Sequence, residues 1–197
     1  MLRRLFAVLL ALVILLVVIG FMLPASVTVE RDRAFDHPPE VLYEVVSDLR
    51  HFVQWSPWLD GAAPDTYRLE GAASGVGATL VWREGADAGA SRMWITAVEA
   101  SRRVEYELEF GDNEADGWFR IDSDGIGYRV HWGLSMEFGT FDLVGRYVGL
   151  MLPGLVGREY DNGLQRLEEY LEQAGGQVPE LPPGLDGELL HRNTRRP

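Results

Sequence analysis

Few residues in this chain could do acid–base or nucleophilic chemistry, and their spacing suits it poorly. The absence of cysteine removes disulfides, thiol nucleophiles and thiolate metal sites together. The histidines are His37, His51, His131 and His191. No two stand at metal-ligand spacing, so no metal and no cofactor is expected. His37 stands at a helix start and suits a capping or turn role. His51, just before Phe52 and Trp55, reads as structural or exposed. His131 has the opposite strand parity to Trp132 and points outward. His191 falls in a polar tail.

Glu105, Glu107 and Glu109 alternate with Val104, Tyr106, Leu108 and Phe110, so they form the wet face of a strand rather than an acid pair. Gly75-Val76-Gly77 precedes a strand, and so lacks the helix N-terminus that would hold phosphate. No G-x-S-x-G is present, and no catalytic residue is assigned. A cyclase or hydrolase would need a polar group facing inward among aromatics. Arg31, Arg33, Tyr106 and Tyr128 are the candidates, and an inward Arg could steer a ligand carboxylate or enolate. The competing reading is an edge Arg and a Tyr hydroxyl that reaches solvent.

The whole chain narrows the function classes further. Its net charge is −12, and all 18 basic residues are Arg. That argues against nucleic acid and against anionic headgroups, both of which need clustered cations. Apolar content of 47% and charged content of 24% are ordinary for a globular protein. Setting aside an apolar N-terminus and a polar tail leaves roughly 150 residues, enough for one domain with a real core.

The stretch from Leu5 to Leu23 carries no charge and follows Arg3 and Arg4. At about 1.5 Å per residue it covers the hydrocarbon thickness of a bilayer. It is longer than a signal-peptide core, and Leu23 spoils the best cleavage site, after Ala25. An uncleaved anchor over 1–25 is therefore expected in the inner membrane. Arg3 and Arg4 favour a cytoplasmic N-terminus and a periplasmic domain.

Downstream, alternation predicts a strand over 27–35, where Arg31 and Arg33 conflict with the parity of Val27 and Val29. A helix starts at Pro38-Pro39, capped by Asp36 or His37. A short helix over 49–55 leads into Trp55-Ser56-Pro57-Trp58, where Pro57 ends helical structure. Strands are expected over 66–70, 78–83, 91–99, 103–110, 117–121 and 128–136, with a loop over 84–90. Residues 141–173 read as helix, broken near Pro153-Gly154, and a disordered tail is expected over 175–197. Trp82, Tyr106, Phe110, Trp132 and Met136 share the inward face of a curved sheet, as an apolar pocket requires.

This order of elements resembles the START-like, or SRPBCC, superfamily, the helix-grip fold of polyketide cyclase/dehydrase-like proteins. The residues carrying the resemblance include Arg31–Phe35, the helix start His37-Pro38-Pro39-Glu40, Trp55-Ser56-Pro57-Trp58, Gly75-Val76-Gly77-Ala78 before Trp82, and Gly163-Leu164-Gln165-Arg166-Leu167. It implies an α+β helix-grip domain over 26–174, with an antiparallel sheet of about seven strands wrapped around a long C-terminal helix. It implies a hydrophobic cavity but no particular reaction.

The expected function is a membrane-anchored binding domain for a hydrophobic small molecule or lipid. The expected ligand contacts are Trp55, Trp58, Leu80, Trp82, Ile95 and Tyr106, together with Phe110, Phe119, Tyr128, Trp132 and Met136. A cyclase/dehydrase-type enzyme, and a structural module whose aromatics fill the cavity, are the alternatives.

Overall fold

The computed structural model describes residues 1–61, 66–83, 89–111, 113–182 and 185. Most of the loop expected over 84–90 and most of the tail lie outside the described residues.

Helix α1 (Leu2–Met22) is followed by strand β1 (Ser26–Phe35), helices α2 (Pro39–Ser47) and α3 (Leu49–Trp55), and a 3₁₀ turn at Pro57–Leu59. Strands β2 (Tyr67–Gly71), β3 (Ala78–Arg83), β4 (Ala90–Glu99), β5 (Arg103–Phe110), β6 (Asn113–Ser123) and β7 (Tyr128–Glu137) come next. Helices α4 (Leu143–Gly149) and α5 (Leu152–Gln173) close the chain.

The seven strands form one sheet in the order β1-β7-β6-β5-β4-β3-β2, with every neighbouring pair antiparallel. Strict alternation puts Val104, Tyr106 and Leu108 on the face that meets α5, and turns Glu105, Glu107 and Glu109 away. Buried Tyr160, Leu164, Leu167 and Leu171 recur along one stripe of α5 and seat it in the curved sheet. Two glycines set that seat. A Cβ at Gly163 would enter the ring of Trp132, and one at Gly157 would enter the Arg31 guanidinium.

The parity conflict in β1 resolves at the sheet edge. Arg31 and Arg33 lean over the edge toward α5, where Arg31 pairs with Asp161 at 3.3 Å and Arg33 with Glu168. Neither enters the apolar interior.

Three local expectations shift. Pro38 is the N-cap residue of α2 with no side-chain bond, so neither Asp36 nor His37 caps it. The helix break falls at Leu150–Met151, and Pro153 lies in the first turn of α5, where a missing N–H costs nothing. Strand β6 begins at Asn113, earlier than its pattern suggests, because Gly111 at φ 62° allows a tight reversal. In the stretch read as disordered, Val178 and Leu185 pack against the core.

Among the described residues, α1 alone is long and apolar enough to cross a membrane. Gly20 is its one buried residue.

Candidate functional site

The interior between sheet and α5 is built from aromatic rings that several elements deliver. Strand β7 supplies Trp132, β5 Tyr106 and β6 Phe119; α3 supplies Phe52 and Trp55; α5 supplies Tyr160. Each of these is buried at 1% exposure or less. Trp132 and Tyr160 stack with centroids 4.1 Å apart and planes 9° apart. Trp55 meets Trp132 edge-on at 5.3 Å, and Phe119 stacks on Trp132 at 5.2 Å. Such pairs add about 0.5–1.5 kcal/mol beyond the area they bury.

All eleven residues expected to contact ligand fall in this one cluster. Trp55, Leu80, Trp82, Ile95, Tyr106, Phe119, Trp132 and Met136 are buried in it, while Trp58, Phe110 and Tyr128 pack against it half-buried.

The Trp-Ser-Pro-Trp stretch splits by function. Trp55 ends α3 and belongs to the core. Ser56 caps the next turn by accepting from the Trp58 backbone N–H at 3.3 Å. Trp58 rides on that 3₁₀ turn, stacked on Trp82 at 6.1 Å and set against Trp132 at 5.5 Å and Tyr160 at 6.1 Å. One side of Trp58 thus closes the aromatic cluster while the other reaches the surface. The turn rests on α5 where Gly163 leaves room for Pro57. It is tied down by the Asp60–Arg166 ion pair, which holds the Asp60 carboxyl below its ordinary range. Outside it lies a polar groove of about 450 Å³ that includes Asn162, Gln165 and Glu169.

Polarity inside the cluster is sparse and incompletely satisfied. Trp132 Nε1 donates to the Tyr106 hydroxyl at 2.7 Å. The Tyr160 hydroxyl adjoins Tyr106 without good hydrogen-bond geometry and has no other partner. Trp55 Nε1 and Trp82 Nε1 are likewise buried and unpaired. Leaving such a group unpaired costs about 1–3 kcal/mol. Burial pushes both phenols up, Tyr160 also through its neighbour Tyr106, so each stays protonated at neutral pH and neither serves as a base. No signal in the sequence marks these unpaired atoms, because pairing depends on the three-dimensional neighbours.

The other candidates take bland roles. His51 is buried, and its Nδ1 lies 2.9 Å from the Tyr170 hydroxyl. His131 is on the outer face, as its parity requires, 3.4 Å from Glu30 and 3.5 Å from Asp122. An acidic groove of about 260 Å³ on the outer face holds Glu107, Glu109, Glu114 and Asp116. Among the described residues no group of His, Asp or Glu is arranged to hold a metal.

Residues 26–172 match the model of a family described as polyketide cyclase/dehydrase and lipid transport. The chain belongs to that family. It thereby falls in the START-like superfamily, with the helix-grip fold. Solved structures agree on the fold. The chain is 21% identical to TTHA0849 from Thermus thermophilus, with a TM-score of 0.54, covering 75% of this chain and 98% of that one. It is 14% identical to CV1439 from Chromobacterium violaceum, with a TM-score of 0.52 and coverage of 78% and 99%. The di-domain ARO/CYC StfQ from the steffimycin biosynthetic pathway gives a TM-score of 0.58 at 11% identity, covering 77% of this chain and 52% of that one. No curated protein matches the chain.

Proposed function

We propose that this family member is a membrane-tethered binding domain for one hydrophobic small molecule or lipid. The ligand sits between the sheet and α5, in space opened when Trp58 swings out. The observation that carries this reading is the set of unpaired groups in the aromatic cluster, Tyr160 OH, Trp55 Nε1 and Trp82 Nε1, beneath a half-buried Trp58. An apolar molecule with one or two polar atoms would gain ring contacts and satisfy these groups together. The family description, which includes lipid transport, supports the same ligand class.

Binding is favoured over catalysis. Tyr106 and Tyr160 are held protonated, and Arg31 and Arg33 are engaged by Asp161 and Glu168. The tether is α1, a span whose N-terminus stays cytoplasmic beside Arg3 and Arg4, with the domain on the periplasmic side of the inner membrane.

Native mass spectrometry of the full chain tests the reading. At activation energies that strip annular lipid, one apolar molecule per chain should remain bound. A bare chain that also takes up neither added oleate nor decylubiquinone would overturn it, and would favour an interior filled for structural reasons alone.

A further inference from the structure

The last turns of α1 do not stand free of the domain. Helix α4 packs along them. A Cβ at Gly20 would lie 3.2 Å from Leu143 Cβ and 3.3 Å from the Tyr147 ring, so the glycine sets how closely the two helices approach. The Tyr147 hydroxyl donates to the Leu16 carbonyl at 2.7 Å. Arg146 donates to the Leu23 carbonyl at 3.1 Å, and Phe21 meets Phe141 edge-on at 6.3 Å. These contacts run from Leu16 to Leu23, about 10 Å of helix axis.

Around these contacts the segment is apolar and largely uncovered. Phe141 is 85% exposed, Val144 75%, Met151 62%, Leu150 58%, Leu155 56% and Val148 49%. Between Asp142 and Arg158 the only charged residue is Arg146, and it is buried against the end of α1. A chain of net charge −12 thus presents an unbroken neutral, apolar face beside its most apolar helix. Exposed apolar surface of this extent marks a contact site.

We infer that α4 and the α4–α5 junction lie in the bilayer interface as a second, non-spanning membrane contact. The partner is the acyl-chain and glycerol zone of one leaflet. This rests on α1 spanning the membrane, as proposed above. With α1 across the bilayer, α4 is held beside the outer 10 Å or so of the span, the depth at which interfacial helices bury their apolar faces. The attachment is apolar rather than electrostatic, which suits a domain that anionic headgroups repel. It also fixes the orientation of the domain. Ser26 and Glu137 pair at the membrane end of the sheet, and Phe35 and Tyr128 pair at the far end.

Absent cysteines make the test clean. In the full chain, Val144→Cys, Met151→Cys and Leu155→Cys each receive one nitroxide. Val13→Cys in α1 and Ile126→Cys are the controls. Ile126 is 99% exposed in the β6–β7 turn, about 30 Å along β7 from α4. The labelled chains are reconstituted in phosphatidylcholine vesicles, and accessibility to oxygen and to a water-soluble nickel chelate is read by electron paramagnetic resonance. The expected result is oxygen-dominated accessibility at 13, 144, 151 and 155 and nickel-dominated accessibility at 126. Nickel-dominated signals at 144, 151 and 155 with position 13 immersed would overturn this contact and leave the span standing. A nickel-dominated signal at 13 as well would overturn the span and this contact together.

Discussion

Trp132 on β7 and Tyr160 on α5 stack face to face, 4.1 Å between centroids and 9° between planes, at the centre of the interface between sheet and closing helix. Gly163, one turn along α5 from Tyr160, lies over the same indole, where a Cβ would not fit. Helix and sheet therefore meet through one ring pair that gives the interior its shape. The phenol carries a hydroxyl with no partner of good geometry into that interior.

Replacing that hydroxyl separates structure from recognition. Tyr160→Phe keeps the stack and removes an unpaired buried group, so stability should hold or rise by up to about 1 kcal/mol. Ligand retention should fall. Thermal unfolding and native mass spectrometry read the two effects. A clear loss of stability would mean that the hydroxyl is well bonded in the folded protein.

The two tryptophans of the Trp-Ser-Pro-Trp stretch should behave differently. Trp55 is 1% exposed, so Trp55→Ala should cost about 3–5 kcal/mol, as large-to-small core changes do. Trp58 is half-buried on a three-residue turn, so Trp58→Ala should leave a folded chain with faster uptake of oleate. Equal destabilisation by both changes would make Trp58 a packing residue and not a gate.

The glycines of α5 form a second contrast. Gly→Ala inside a helix gains about 1 kcal/mol of intrinsic propensity. At Gly157 the obstacle is the end of the flexible, half-exposed Arg31 side chain, whose ion pair is worth at most about 1 kcal/mol. Gly157→Ala should thus stay within about 1 kcal/mol of the parent chain. At Gly163 the obstacle is the buried Trp132 ring, and overpacking of about 1–3 kcal/mol should outweigh the propensity gain. Chemical denaturation of the two variants in parallel tests the ranking.

His51 should make stability depend on pH. Burial lowers its affinity for a proton below the ordinary 6.5; Arg50 acts in the same direction, and Asp48 and Glu44 oppose them. The unfolded chain then binds the proton more readily than the folded one, so stability is complete above about pH 6.5 and declines as pH falls below it. The Tyr170 hydroxyl beside it, pushed up to about 12 by burial and then by Asp48, stays protonated across that range. His51→Gln should flatten the stability profile between roughly pH 6.5 and pH 5, measured as the denaturation midpoint. An unchanged profile would mean that His51 titrates alike in both states.

Much of this architecture is legible in the sequence, for reasons that particular residues make plain. Residues 103–110 and 78–83 read as strands to the residue: the first alternates apolar and polar side chains without a break, and the second is a short β-rich run, Ala78 to Arg83, bounded by the Gly75-Val76-Gly77 turn. The roles of Arg31 and Arg33 were not legible. Their parity conflict is settled by Asp161 and Glu168, about 130 positions away, which reach the sheet edge only after α5 docks. The break between α4 and α5 lies earlier than Pro153 suggests, because a proline suits a first turn as well as an interruption. Strand parity places Trp82, Tyr106, Phe110 and Trp132 on the inward face, but it gives neither their mutual packing nor Phe52 and Tyr160, which helices α3 and α5 deliver to the same interior. The contact between α1 and α4 left no trace in periodicity.

The central claim, that the interior admits an apolar ligand past Trp58, is tested most directly by tryptophan fluorescence with a brominated fatty acid. All six tryptophans lie in the domain and none in α1, so quenching by 9,10-dibromostearate reports on the domain and not on the span. The account expects quenching of the wild-type chain that saturates at one equivalent and is reached faster in Trp58→Ala. Quenching that rises linearly without saturation, identical in the two chains, would contradict it.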